Sequence, residues 1–217
     1  AFDRQQITKM YDMHGLEPGW HEVKYEVFLQ RRREALSKVI KNAYEQVICG
    51  SSPTVYDRNK LVADSISDGE SETVEFKSTI RVCLHSGEMD PRITMSALKT
   101  IAGFLNGKGG RLVVGVADDG SAVGIDADKF KNEDKMSLFL VDLVKSRLGV
   151  SAQTYISHQF EDYEEERVLI IDAEPSPVPV FTKDEKRECF FVRSGPSTAE
   201  FSMSDATEYM KRRFKSQ

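Results

Sequence analysis

Residues 102–120 read AGFLNGKGGRLVVGVADDG, and this stretch decides the fold class. Its first part ends an amphipathic helix that begins at Asp90-Pro91, where proline is tolerated in the first turn. The turn 106–110 stops the helix, because glycine adopts the backbone angles of a helix end. An apolar strand follows at 111–117, and Asp118-Asp119-Gly120 is typical of a hairpin turn. This succession indicates a domain in which helices and strands alternate.

The same alternation continues along the rest of the chain. Helical spacing of apolar residues predicts a helix over 133–148, and Ser204-Asp205 is expected to cap a closing helix. Together these elements predict an α/β fold for residues 67–217. Further strands are predicted at 73–80, 122–125, 154–160, 167–173 and 189–193.

The first 49 residues differ from the rest, because apolar residues recur at helical spacing between Val27 and Val47. The preferred interpretation is a long amphipathic helix that packs on the domain or on a partner. Alternatives are a basic strip that touches phosphate and a homo-oligomer formed through the helix. The segment 1–49 also has the character of a tail that belongs to an upstream module of the same polypeptide. The basic residues opposite the apolar stripe are Arg31, Arg32, Arg33, Lys38 and Lys41.

Residues 50–66 are predicted to be a linker. Gly50-Ser-Ser-Pro53 breaks the preceding helix, and no long apolar period follows. Leu61, Val62 and Ile66 could form one short turn that docks on the next domain.

The charge and the cysteines exclude several classes of protein. The formal net charge is −5, with +1 in residues 1–50 and −6 in residues 51–217. A domain that merely coats nucleic acid is usually basic, so this one would need a local basic groove beside its carboxylates. Cys49, Cys83 and Cys189 are scattered, which argues against a zinc site or a disulfide framework. The sequence contains neither a long apolar run nor a secretory signal, and a cytoplasmic protein without membrane association is expected.

Three motifs follow one another in the second part of the chain. The first is ESETVEFK at 70–77, and the second is the opening stretch 102–120. The third combines PSPVPV at 175–180 with FFVRSGPST at 190–198. In this order and spacing they resemble the Schlafen AlbA-like domain, and the resemblance covers nearly everything after the linker.

The resemblance implies a mixed sheet with flanking helices that associates with nucleic acid. In some members it implies metal-dependent cleavage of structured RNA, such as tRNA, by three acidic residues. Glu70 and Glu75 match two of these acids in the first motif. The third acid would follow the second motif's strand, where this chain has Ala117 before Asp118 and Asp119. The departure at Ala117 leaves two alternatives, a metal-dependent endoribonuclease and a domain that binds DNA or RNA without cutting.

The chemistry of these residues agrees with a metal-dependent reaction. Mg²⁺ or Mn²⁺ would be the cofactor of a catalytic domain, since hard cations prefer carboxylate oxygens. Glu70, Glu75 and Asp118 are the predicted ligands, with Asp119 as a substitute. Lys77 would project to the same side of the strand as Glu75 and could hold the attacking water. The alternative is a surface Glu70 beside an ordinary Glu75–Lys77 pair.

The residues predicted to touch nucleic acid are basic or carry hydroxyls, as phosphate contacts often do. The alternative interpretation of Arg193 is an arginine at the end of a strand, beside a polar turn, without a contact to phosphate. Asn106 is expected to tie its own turn by side-chain hydrogen bonds. Two alternative functions stay open for this protein: a nucleic-acid-binding module that recruits an upstream effector, and an oligomerisation module. The predicted nucleic-acid contacts are Lys77, Lys108, Arg193, Ser197 and Thr198, together with the basic tail 211–215.

Overall fold

The computed structural model describes residues 62–184 and 187–214. The predicted helix within 1–49, the linker up to residue 61 and the end of the basic tail lie outside the described residues. The described helices are α1 (Val62–Ser67), α2 (Pro91–Asn106), α3 (Glu133–Arg147) and α4 (Met203–Arg213). The described strands are β1 (Val74–Lys77), β2 (Gly110–Val114), β3 (Ile156–Tyr163), β4 (Glu166–Ala173), β5 (Thr182–Lys183), β6 (Glu188–Ser194) and β7 (Ser197–Phe201).

The strands form two sheets. A four-stranded sheet has the order β1-β2-β4-β3, in which β1 and β2 are parallel and the other pairs are antiparallel. A second sheet, β5-β6-β7, is antiparallel throughout. The mixed sheet with flanking helices is therefore confirmed. The second sheet is less visible in the sequence, because β5 and β7 are short and mostly lack buried residues.

Helix α2 connects the two parallel strands, as a parallel pair requires. The Asp90 carboxylate accepts a hydrogen bond from the Arg92 N–H at 2.9 Å and caps the helix, and Pro91 occupies its first turn. At the other end Gly109 has the left-handed φ of +84°, whereas Gly107 has a φ of −99°. A Cβ at Gly110 would lie 2.5 Å from the Phe104 ring, so the strand that begins there approaches the helix closely.

The four-stranded sheet is covered on both faces. Helices α2 and α3 bury one face in the main core, which includes Leu112, Leu169 and Ile171. Helix α1 covers the other face, where Val62 and Ile66 pack with Phe76 and Val113, as the sequence predicts for Val62 and Ile66. Beneath α1, Arg111 of β2 and Asp172 of β4 form a buried ion pair with 2.8 Å between nitrogen and oxygen. The Ser65 hydroxyl of α1 accepts a further hydrogen bond from Arg111 at 3.2 Å.

A smaller apolar cluster joins β6 to α4. Phe190, Val192 and Ala206 form its buried centre. Partly buried aromatic residues surround them, so that α4 is held to the second sheet mainly by ring packing. These surrounding aromatic residues are Phe181, Phe201, Tyr209 and Phe214.

Two local predictions are wrong. The hairpin turn at 117–120 forms, but the predicted strand at 122–125 does not. A single β-bridge joins Val116 to Ala122, and a 3₁₀ helix, Ile125–Asp128, follows. The cap of α4 is Ser202, whose Oγ accepts a hydrogen bond from the Asp205 N–H at 3.2 Å. Ser204 and Asp205 lie inside the helix, which therefore begins earlier than predicted.

Within the described residues, every helix is too short or too polar to cross a membrane.

Candidate nucleic-acid interface

Glu70 closes the free edge of β1. The Arg111 N–H donates to Thr73 O and the Gly115 N–H donates to Lys77 O. The main-chain N–H and C=O groups of the odd-numbered residues of β1 therefore point toward β2. The N–H of Phe76 consequently points away from the sheet, and Glu70 Oε1 accepts its hydrogen bond at 3.0 Å. Glu70 precedes β1, and one oxygen of its carboxylate is thus engaged by the main chain of the strand that carries Glu75.

Glu75 lies between two cations on the face of the sheet covered by α2. The Lys77 Nζ is 2.5 Å from Glu75 Oε1, and the Arg193 Nη1 is 2.7 Å from Oε2. Arg193 approaches Oε2 outside hydrogen-bond geometry, and among the described residues this buried oxygen has no hydrogen-bond donor. Its partner is therefore the charge of Arg193. Glu75 is 8% exposed, so its carboxylate is withdrawn from solvent.

Arg193 joins the second sheet to the segment that precedes β1. Its guanidinium donates to Ser71 O at 2.7 Å and to Val74 O at 3.1 Å, and it contacts Thr198 Oγ1 at 3.4 Å. The side chain is 2% exposed. A contact between Arg193 and phosphate would require it to leave these partners, and the contacts predicted for Arg193 and Thr198 stay predictions.

The other predicted contact residues are more accessible. The Lys77 ammonium also donates to Phe76 O at 3.2 Å, and its side chain is 23% exposed. Lys108 forms a surface ion pair with Glu72 at 3.0 Å, and such pairs contribute little and exchange readily. Ser197 is exposed at the start of β7.

The turn that carries the two aspartates lies on the side of the sheet opposite to Glu75. Asp118 is exposed in the 117–120 turn, and Asp119 accepts hydrogen bonds from the Ser121 Oγ at 2.6 Å and N–H at 3.0 Å. These bonds hold the pKa of the Asp119 carboxyl below its ordinary value. Gly120 of the same turn approaches Ile66, on the face that α1 covers, whereas Glu75 faces α2.

The four predicted metal ligands consequently do not fit a ready-made cation site. Among the residues that the structure describes, no group of three or more His, Cys, Asp or Glu side chains is arranged to hold a metal ion. Glu75 is neutralised by two cations and Glu70 is bonded to the main chain. A shared ion would require Glu75 to exchange a partner, and the metal site stays a prediction.

Asn106 links the second and third motifs. Its side-chain amide donates to Val180 O at 2.8 Å and to Phe191 O at 2.9 Å, and its Oδ1 accepts from the Val180 N–H at 2.9 Å. The prediction that Asn106 ties its own turn is therefore wrong. A fully buried amide must satisfy its hydrogen bonds, and here distant main-chain groups satisfy them.

The last turn of α4 lies against the turn between α2 and β2. The Tyr209 hydroxyl donates to Asn106 O at 2.8 Å, and the Arg213 Nη2 donates to Gly107 O at 3.2 Å. These two bonds bring the basic end of α4 beside Lys108. We call the three basic residues of this last turn, together with Lys108 of the adjoining turn, the α4 basic cluster: Lys108, Lys211, Arg212 and Arg213.

The sequence names these basic residues but not their proximity. Tyr209 and Arg213 lie four residues apart on one helix face, and this spacing is the sequence signal that could have predicted the proximity of α4 to the end of α2. Both side chains can then reach the same partner, the end of α2.

Comparison with known proteins gives one family. No curated protein shows significant similarity to the chain. Among solved structures, the DIP2311 protein from Corynebacterium diphtheriae is similar with 18% identity and a TM-score of 0.48, over 85% of this chain and 33% of that chain. This chain thus spans about a third of that protein's length. The family model described as Schlafen, AlbA_2 matches residues 70–202, which is more than half of the chain. The match runs from the first motif to the cap of α4, and the chain belongs to the Schlafen AlbA_2 family.

Proposed function

We propose that the domain binds nucleic acid, and that the α4 basic cluster supplies the phosphate contacts. The observation that carries this proposal is the hydrogen bond between Arg213 and Gly107. It anchors the basic end of α4 at the turn that contains Lys108, a residue far from α4 in the sequence. Membership of the Schlafen AlbA_2 family, which is associated with nucleic-acid binding, supports the same function.

The charge of the whole domain makes a local cluster necessary. Phosphate neutralisation by Lys and Arg supplies most of the affinity for nucleic acid, and an acidic domain must concentrate its cations. Lys211 and Arg212 are exposed, and Glu72, which is screened by solvent, is the one partner of Lys108 among the described residues. A phosphate group can displace Glu72, whereas it would compete poorly with the buried partners of Arg193.

We propose further that this arrangement binds without cutting. Glu75 lies within β1 and Glu70 is bonded to the same strand through Phe76, and this is the observation in favour of metal-dependent cleavage of structured RNA. However, Glu75 is already paired with Lys77 and Arg193, so a cation shared with Asp118 would have to displace one of these partners. The non-catalytic alternative therefore accounts better for the contacts of these residues.

The binding proposal is tested with the full chain and labelled tRNA, single-stranded RNA and duplex DNA. Fluorescence anisotropy is measured between about 50 and about 200 mM salt, where phosphate-driven affinity falls steeply. In the Lys211→Ala/Arg212→Ala variant, the magnitude of the slope of log K against log salt should decrease by about 1.4 to 1.8, because each phosphate contact contributes about 0.7 to 0.9.

The matched control is Lys131→Ala/Lys135→Ala, which removes two exposed cations near the start of α3. This region lies near Arg167, at the other end of β4 from the cluster. The control should retain the affinity and slope of the parent. Absence of binding at low salt, or an equal loss in both variants, would show that the cluster is not the binding surface.

A further inference from the structure

A groove with a volume of about 490 Å³ lies between the start of α2, the middle of α3 and the segment 81–90. Its floor is apolar and consists of Met95 and Leu98 from α2 with Phe139 and Leu143 from α3. Met89 stands at its rim and is 71% exposed. The volume is within the range of ligand-binding sites in proteins. We call this the α2–α3 groove.

The groove is separate from the α4 basic cluster. The groove uses the first turns of α2, whereas the cluster lies beyond its last residue, Asn106. With a rise of about 1.5 Å per residue, the two surfaces are more than about 12 Å apart along the helix. The groove is therefore a surface distinct from the proposed phosphate contacts.

Two guanidinium groups at the rim are fixed in position by hydrogen bonds to main-chain carbonyls. Arg81 donates to Asp128 O and Lys129 O, both at 2.8 Å, and its guanidinium lies 3.4 Å from the centre of the Phe130 ring. Arg147 donates to Lys183 O at 3.1 Å. Because these partners are main-chain carbonyls, both side chains keep their full charge and have N–H groups to donate.

Two of the carboxylates near these arginines, those of Asp128 and Asp90, already have partners. The side chain of Asp128 accepts the N–H groups of Ile80, Arg81 and Val82. Asp90 holds the third arginine of the rim, Arg92, at 2.7 Å. Asp184 is the remaining acid among the lining residues. The lining residues thus combine three arginines with two aspartates, a formal excess of one positive charge above an apolar floor.

We propose that the α2–α3 groove binds an acidic amphipathic segment of a partner protein. Such a segment places apolar side chains on the floor and carboxylates on Arg81 and Arg147, in the way that helices dock in grooves. Met residues suit this role because their side chains adapt to different partners. Charge complementarity selects an acidic partner over a basic one.

The composition of the floor favours a protein over a nucleic acid. Single strands stack their bases on exposed aromatic rings. Among the lining residues Phe139 is the one aromatic side chain, and its ring packs against Phe130 with 5.2 Å between centroids. The Thr94 hydroxyl, which could read a base edge, donates to Ile80 O instead.

The test uses the full chain and a fluorescein-labelled helical peptide with leucine at i, i+3, i+4 and i+7 and glutamate at the other positions. Two comparison peptides have the same residues in scrambled order, or lysine in place of glutamate. We expect the acidic amphipathic peptide to bind at least about tenfold more tightly than either comparison peptide, which corresponds to 1.4 kcal/mol. Met89→Ser/Arg147→Ala should weaken its binding by about tenfold or more.

The control variant Leu138→Ser/Lys145→Ala removes an exposed apolar residue and a cation of α3 that do not line the groove. It should bind the peptide as the parent does. Failure of the acidic peptide to bind, equal binding of all three peptides, or equal loss in both variants would overturn the proposal. If unlabelled oligothymidylate displaces the peptide and loses affinity for the Met89→Ser/Arg147→Ala variant, the groove is a nucleic-acid surface instead.

Discussion

The guanidinium of Arg193 and the carboxylate of Glu75 connect the two sheets, with Arg193 Nη1 lying 2.7 Å from Glu75 Oε2. Glu75 belongs to β1 of the mixed sheet, and Arg193 belongs to β6 of the second sheet. Both side chains are buried, and the same guanidinium holds Ser71 O and Val74 O. The first and third motifs are thus in direct contact, and their residue types have a structural reason that is independent of any reaction.

Removal of Arg193 should destabilise the domain strongly. Arg193→Met leaves the buried Glu75 without one of its cations and leaves two carbonyl oxygens without a donor, and breaking a buried pair costs about 3–5 kcal/mol. Urea unfolding of the full chain measures this loss. The exposed ion pair between Lys108 and Glu72 provides the comparison. Lys108→Ala should change the free energy of unfolding by less than about 1 kcal/mol. Similar losses for the two variants would contradict the structural role of Arg193.

Cleavage of RNA should be undetectable if the carboxylates keep the partners described above. The parent, Glu75→Gln and Asp118→Asn are incubated with tRNA in the presence of Mg²⁺ or Mn²⁺, and products are resolved by denaturing electrophoresis. We expect intact tRNA with all three proteins. Metal-dependent cleavage by the parent that both substitutions abolish would establish the endoribonuclease and refute binding without cutting.

The position of the helix cap gives a local prediction. Ser202→Ala should cost about 1 kcal/mol, because the Asp205 N–H loses its acceptor at the start of α4. Ser204→Ala should have a much smaller effect, since that residue lies inside the helix. Thermal or urea unfolding of the two variants decides between them, and a larger loss for Ser204→Ala would place the cap where the sequence predicted it.

Acidification should destabilise the domain through His158. Burial on β3 lowers the pKa of this imidazole, whose ring lies edge-on to Phe160. The folded state therefore favours the neutral form. The contribution of His158 to stability is present above the unfolded pKa of about 6.5 and is lost as pH falls through the lower folded pKa.

The measurement for His158 is the urea midpoint at about pH 7.5 and about pH 5.5, on either side of the ordinary histidine pKa. The parent should lose more stability than His158→Gln over this interval, because other titrating groups are common to both proteins. Parallel pH profiles for the two proteins would show that His158 contributes nothing to the pH dependence.

Local sequence patterns predicted the elements whose own residues determine them. The Asp90-Pro91 start of α2, the glycine turn after Asn106 and the period of α3 are all signals between near neighbours. The predicted strand at 122–125 failed because the turn before it leads into the 3₁₀ helix Ile125–Asp128. Its alternating apolar residues indicate burial but do not fix a partner strand.

The partners of the polar side chains could not be predicted, because they depend on contacts between distant segments. Asn106 and Arg193 were recognised as important, yet their partners lie at Val180, Phe191 and Ser71. The same limit applies to the two glutamates. Matching a motif identified Glu70 and Glu75, but the main-chain donor and the cations that engage them became apparent only from the fold.

The hydrogen bond from Phe76 to Glu70 also bears on how this protein behaves in concentrated solution. Without that acceptor, β1 would present a bare main-chain donor at the margin of a largely apolar sheet, where another chain can add a strand. Glu70 therefore guards against intermolecular strand pairing. A Glu70→Ala protein that loses function should first be examined for self-association by light scattering, since soluble assemblies would imitate the loss of a reactive carboxylate.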